Sequence, residues 1–424
     1  MSSLESLLAM AGEAPLSDSL SFTLPPASTS VVDRRQTVRA YPTSASTLTP
    51  PGTRVCRLRL GGDDFVDSSS IRLQFTINNK SADKVLTPLS GPWGCWSQVF
   101  LRSNGVEIAN VPMYGRFHQQ YGWNQTSMAE QFGEAGICGM SGSWAKSGVP
   151  KNQPAMGTIA AAKSFTVMHK LHLPLLSSGK LLPTRYAPLE LEMTLNSVVG
   201  DWIDAADAKS QNFEISNVQL LFDAYILDES VQESFYKALL ASRVLSVSTM
   251  TVFQVSQSIA ANSTSFSFAA VRAFSRLSHV WLTFCKDGPK SSEFLCPTTI
   301  TDNVGGAPVL ADGFAPTARL SIGPHNWPDP QPVSTMAEHF YHFQRALTGV
   351  PNITRDNFQE NCFTIVFDVR KVPSDPTSSI STRSGDLLRV DLQGLSAGVA
   401  TTCYMTLFAF SVVAIRESGV SLLT

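Results

Sequence analysis

The chain has 424 residues, 43% of them hydrophobic and only 16% charged, against roughly a quarter charged in ordinary soluble domains. Its formal net charge is −2 and its pI is near 6.4, so it lacks the basic footprint of a nucleic-acid binder, and no direct sequence-specific nucleic-acid contact is expected. The length allows about two to three domains, and sparse charge points to a surface covered largely by other protein.

The chain opens MSSLESLLAMAGEA, with neither a basic segment nor a long apolar core, so it does not read as a signal peptide. Leu4, Leu7, Leu8 and Ala11 recur at helical spacing, with Ser2 or Ser3 available as N-cap. Residues 1–30 are expected to form an extended arm with a short amphipathic helix, and Leu4, Leu7 and Leu8 are its candidate contact residues. The first fifty residues hold four acids and three bases, too few bases for a genome-condensing arm. Residues 15–53 are rich in Pro, Ser and Thr and read as extended chain rather than core.

Strands follow. VCRLRL from Val55, IRLQFTIN from Ile71 and LELEMTLN from Leu189 alternate apolar with polar residues, the pattern of half-buried antiparallel strands. LLRVDLQG and CYMTLFAFSVVAI are further strand candidates, the second too short to span a bilayer as a helix. Residues 122–164 and 286–316 read as long loops, which in a compact sandwich are functional or face a partner. The clearest helix is STMAEHFYHFQRAL: Thr335 and Glu338 fit a capping box, and Met336, Phe340, Phe343 and Leu347 share a face.

The halves repeat one order of elements. VFLRSNGVEIANVPMYGRFHQQY and ARLSIGPHNWPDPQPVSTMAEHFYHFQRAL both read as strand, turn, helix. Aligning Glu229 with Glu417 gives an offset of 188 residues, and Leu195 with Leu392 an offset of 197. Matches in the same order suggest a duplicated β-domain. The expected architecture is all-β: two tandem eight-stranded antiparallel sandwiches, at 31–229 and 246–424, joined by a packed helical linker at 230–245. At that junction, LLFDAYILDESVQESFYKALLASRVL, Leu221, Asp223, Tyr225 and Leu227 fall on one strand face and Phe222, Ala224 and Ile226 on the other, so the strand should be covered on both sides. Asp228 and Glu229 end it and cap a helix that carries Phe235, Leu239 and Leu240 toward the adjoining sandwich.

Chemistry-bearing patterns are weak. Seven cysteines include no Cys-x-x-Cys pair and read as buried thiols. His169 and His172 lie three apart in a strand, which points them to opposite faces, and His339 and His342 sit on a helix among aromatics, so no metal site is expected. Asp63, Asp64 and Asp67 read as a solvated turn. Trp93 and Trp96 read as core or interface residues. There is no nucleophile elbow, phosphate loop, His-Glu-x-x-His or dinucleotide fingerprint. No catalytic residue, metal ligand or cofactor is therefore assigned.

Five segments carry a resemblance: HLPLLSSGKLLPTRYAPLELEMTL, FDAYILDESVQESF, FSRLSHVWLTF, STRSGDLLRVDLQG and FSVVAIRESGVSLL. Over roughly residues 30–424 the chain resembles the double jelly-roll major capsid proteins of icosahedral DNA viruses, of the polinton-like virus, virophage and nucleocytoplasmic large DNA virus type. It departs from them in LLSSGK, where an aromatic-rich stretch is usual, and in AVRAFSRL, where Asn-His-Pro often stands. The resemblance implies a homotrimeric, pseudo-hexagonal capsomer that tiles an icosahedral shell, with penton and minor capsid proteins as further partners. It implies a virion protein assembled inside the host cell, with no enzymatic activity. An internal membrane is compatible with it but not indicated. Two other readings stay open: a single-jelly-roll capsid protein with a projecting second β-domain, and a carbohydrate-binding or hydrolytic β-sandwich. The first class often carries a basic arm and the second normally an export signal, and neither is visible here.

Overall fold

The computed structural model describes residues 32–62, 64–122, 128–140, 156–197, 199–241, 244–286, 315–347, 358, 363–372, 378–383, 387–396, 400–416 and 419–423. Leu4, Leu7 and Leu8, and with them the expected arm helix, lie outside the described residues.

The first half contributes β1 (Val32–Ala40), β2 (Thr47–Leu48), β3 (Val55–Leu60), β4 (Phe65–Asp67), β5 (Arg72–Asn79), β6 (Trp96–Ser103), β7 (Val106–Val111), β8 (Ser164–Lys170), β9 (Leu181–Leu182), β10 (Leu189–Leu195) and β11 (Phe213–Leu227). The second half contributes β12 (Leu245–Ile259), β13 (Ser265–Ala270), β14 (Leu277–Lys286), β15 (Thr317–Ile322), β16 (His325–Trp327), β17 (Thr364–Asp368), β18 (Leu388–Gln393), β19 (Thr401–Arg416) and β20 (Gly419–Leu423). Alternation drives the pairing. β3 buries Cys56, Leu58 and Leu60, and β10, its antiparallel neighbour, buries Leu189, Leu191, Met193 and Leu195. The intervening Arg57 and Glu192 point outward and form an ion pair at 2.8 Å.

The strands form sheets ordered β8-β5-β11-β4-β9, with β1 and β2 also on β11, and β3-β10-β6-β7 in the first half. The second half gives β12-β19-β14-β17, with β20 on β19, and β13-β18-β15-β16. Setting aside the short β2, β4 and β9 and the terminal β20 leaves eight strands per half among the described residues. Numbered within each half, both give the same sheets, 1-8-3-6 and 2-7-4-5. That order is two interlocked Greek keys, a jelly roll. The architecture is therefore a tandem pair of jelly rolls. The offsets read from the sequence match equivalent strands: β10 answers β18, and β11 answers β19, which begins 188 residues later.

In each half the first and last core strands lie side by side. β1 follows β11 from Val32–Leu227 to Ala40–Leu220, and β12 follows β19 from Leu245–Ile415 to Ile259–Thr401. β1 thus makes a strand of residues that composition alone read as extended arm. Asp223 of β11 ties it further, accepting from Thr37 Oγ1 at 2.7 Å and from Arg35.

Helices sit between strands. Thr335 caps Met336–Ala346 in a full capping box with Glu338, as its sequence predicts. Replacing Thr335 with alanine should cost about 1 kcal/mol, read as a melting temperature lower by roughly 2–4 °C. Residues 128–137, expected to be loop, form a helix. Gly133 and Gly136 mask its pattern, while Ala135 and Cys138 are buried on one side of it. Cys56, Cys95, Cys138, Cys285 and Cys403 are free and buried, and burial pushes the thiols of Cys56 and Cys138 up to about 12.

Candidate functional site

The feature most relevant to function is the seam between the jelly rolls. β7 ends at Val111, and the chain then runs through Pro112 into the helical turn Tyr114–Phe117 and a wider turn at 118–122. Helical periodicity splits this segment into two faces. Met113, Arg116, Phe117, Gln120 and Tyr121 meet the second jelly roll. Tyr114, His118 and Gly122 turn into the first.

The receiving surface is the outer face of the sheet that contains β12, β14, β17 and β19. On β19, Cys403, Met405 and Leu407 alternate with Tyr404, Thr406 and Phe408, and all are buried. Strands covered on both faces read as nearly continuous apolar runs; here one side is the sandwich core and the other is the seam. Phe408 lies 4.5 Å from Tyr121 and 6.1 Å from Phe117 between ring centroids, and Trp281 of β14 lies 5.1 Å from Tyr121. Trp281 in turn meets Phe343 of the capped helix at 5.8 Å. Polar groups fix the register of this aromatic cluster. Gln120 donates to Thr364 of β17, the Met113 backbone N–H donates to Gln254 of β12 at 3.3 Å, and Gln254 donates to Thr406 at 3.2 Å. Arg116 places its guanidinium carbon 4.5 Å from the centre of the Tyr404 ring and pairs with Asp201 at 3.4 Å. The void left among these groups is only ≈ 20 Å³. This surface can hold two β-sandwiches at one fixed angle.

The junction residues named from sequence make contacts of their own. The Asp228 side chain accepts from the Ser230 backbone N–H at 3.0 Å and caps the helix Glu229–Leu240, whose first residue, Glu229, is exposed. Phe235 packs on Phe65 of β4 at 5.9 Å, Tyr186 donates to the Gln232 carbonyl at 3.3 Å, and Arg185 donates to the Gln232 side chain. These contacts run back to the first jelly roll rather than forward, where the sequence had directed Phe235. Leu239 is buried, but Leu240 and Tyr236 are 50% and 56% exposed. Sequence reading passed over the stronger fastening at 113–121. Its signal was available in the spacing of Met113, Phe117, Gln120 and Tyr121 on one helical face.

The inner face of the segment gathers groups that are distant in sequence. Trp93, fully buried, stacks on His118 at 4.1 Å and donates to Gln119 at 2.7 Å. Trp96, also buried, packs edge-on against Phe75 at 5.5 Å. His169 and His172 do not diverge as expected, because β8 ends at Lys170 and alternation stops between them. Both approach His118, with ring centroids at 5.6 and 4.7 Å. His339 is a buried core residue that donates from Nε2 to the Pro316 carbonyl at 2.8 Å. Of the three acids at 63–67, Asp64 accepts from Gln36 at 2.9 Å, Asp67 at the end of β4 caps the turn 68–70, and Asp63 lies outside the described residues. Among the described residues no group of three or more His, Cys, Asp or Glu is arranged to hold a metal ion.

Paired jelly rolls of one strand order in a single chain make this a double jelly-roll fold. The chain is similar to the capsid of the virus PBCV-1, with a TM-score of 0.63 at 10% identity over 94% of this chain and 98% of that one. It is similar to a protein in the structure of the Sputnik virophage (TM-score 0.59, 9% identity, 97% and 92% covered) and to the Faustovirus major capsid protein (0.59, 8% identity, 97% and 96% covered). No family model and no curated protein matches the sequence. At these identities the likeness is one of fold.

Proposed function

We propose that this chain is the major structural protein of an icosahedral virus shell, acting by self-association and not by catalysis. The observation that carries the reading is the repetition of one strand order in both halves together with a seam that fixes their relative orientation. Three copies of such a two-lobed chain give six similar lobes, so a threefold oligomer approximates a hexagon and tiles a shell. The lobes correspond to residues 31–229 and 246–424, with 230–245 as the linker. Neighbouring capsomers, penton proteins and minor capsid proteins are its partners, and the virion is its location. The sparse charge of the sequence fits a protein that buries much of its surface against copies of itself.

Light scattering on the purified protein tests the oligomer. The mass should be three times the 45.9 kDa of one chain, and a monomer at micromolar concentration would count against the reading. The N-terminal arm has a separate role in this proposal. β1 begins at Val32, paired with Leu227 beside the junction, and the role proposed for Leu4, Leu7 and Leu8 is contact with a neighbouring capsomer. Deleting residues 1–30 should leave the trimer mass unchanged and abolish closed particles by electron microscopy. Unchanged particle yield sinks the arm's role.

A further inference from the structure

We infer that His118, His169 and His172 form an acid-sensitive latch, whose protonation releases the segment 113–121 from the second jelly roll. The three rings are buried inside the first jelly roll, directly behind the segment that makes the seam. His118 Nε2 lies 3.1 Å and His169 Nδ1 2.9 Å from the same acceptor, the Lys170 carbonyl. One further nitrogen of each ring, His118 Nδ1, His169 Nε2 and His172 Nε2, is buried with no hydrogen-bond partner among the described residues. A second proton on any of these rings therefore lands on a nitrogen that faces no acceptor.

The surroundings do not offset the added charge. Glu134 of the helix 128–137 acts on Tyr114 and Cys138 rather than on the three histidines, and it accepts the Lys170 backbone N–H at 3.0 Å. Lys170 and Arg72 of β5 are both positive and both act on His172. Tyr114 and Cys95 are neutral and buried, and Tyr114 contacts the His172 backbone. Arg116, on the opposite face of the segment, is paired with Asp201. Charging two neighbouring histidines thus adds repulsion among themselves and toward Lys170 and Arg72. The segment lies tight against the cluster: a Cβ on Gly122 would stand 2.7 Å from Cγ of His172, so no side chain fits between them. A shift of His172 toward Gly122 therefore displaces 118–122, and Phe117, Gln120 and Tyr121 with it.

Burial lowers all three histidines from the ordinary 6.5, His169 to about 4 and His172 to about 3, and the neighbouring histidines lower His118 further. The opened state therefore binds more protons than the closed one below pH 6.5. The latch is fully closed above that value and weakens as pH falls toward 4 and 3. It is a property of the single chain and stands or fails independently of shell assembly.

Hydrogen exchange of the full-length protein, corrected for the intrinsic pH dependence, tests it. Amides of 114–122 should open ahead of those of β10, and their opening constant should rise at least ~100-fold per pH unit between about pH 5.5 and 4.5, the slope of two or more protons taken up. His118→Gln or His172→Gln should flatten that slope by ~10-fold per unit. Where such a variant fails to fold, the wild-type slope still decides. A rise below ~3-fold per unit, simultaneous loss in β10, or earlier loss in β14, where His279 is also lowered to about 4 by burial, overturns the latch.

Discussion

Replacing Phe408 with alanine should cost about 3–5 kcal/mol of stability, the range for deleting a buried aromatic ring. Phe408 is 1% exposed and touches Phe117, Tyr121 and Trp281, so its ring joins the first jelly roll to the second. The void already present there is ≈ 20 Å³, and the strand behind it is held on both sides by β12 and β14. The backbone is therefore poorly placed to collapse into the space a lost ring leaves. Denaturant unfolding followed by circular dichroism measures the loss. A cost below about 1 kcal/mol would mean that the rings touch without stabilising the pair.

Thr406→Lys separates packing from electrostatics at the same place. Thr406 is buried between the jelly rolls, and its hydroxyl accepts from Gln254 at 3.2 Å. Among the described residues, those around that void include Arg116 and no carboxylate. A lysine here is a buried cation beside another cation, and the expected cost is about 3–5 kcal/mol. Thr406→Val leaves one hydrogen bond unmade and should cost only about 1–2 kcal/mol. Limited proteolysis of the folded protein should expose 113–121 in the lysine variant and spare it in the valine variant. Equal stability of the two variants contradicts a desolvated seam.

Much of the fold was legible because β-alternation is a local signal. LELEMTL and VCRLRL each declare a buried face without reference to any partner, and they pair with each other as β10 and β3. The duplication was legible because a strand, a turn and a helix recur in that order in both halves, the helices standing at equivalent places after β7 and after β16. The seam was harder to read. Phe117 and Tyr121 look like an ordinary aromatic helix until the outer face of β19 is known to need a cover. Tyr404, Thr406 and Phe408 mix polar with apolar, so the strand's second buried side does not announce itself. The histidine cluster was hidden for a different reason. Alternation placed His169 and His172 apart, and only the end of β8 at Lys170 brings them back together around His118.

Cryo-electron microscopy of particles assembled from the expressed chain tests the central claim most directly. The account predicts capsomers of three copies with a six-lobed outline, both jelly rolls of every chain lying within the shell. A shell built from one jelly roll per chain, with the other projecting from it, would contradict the account.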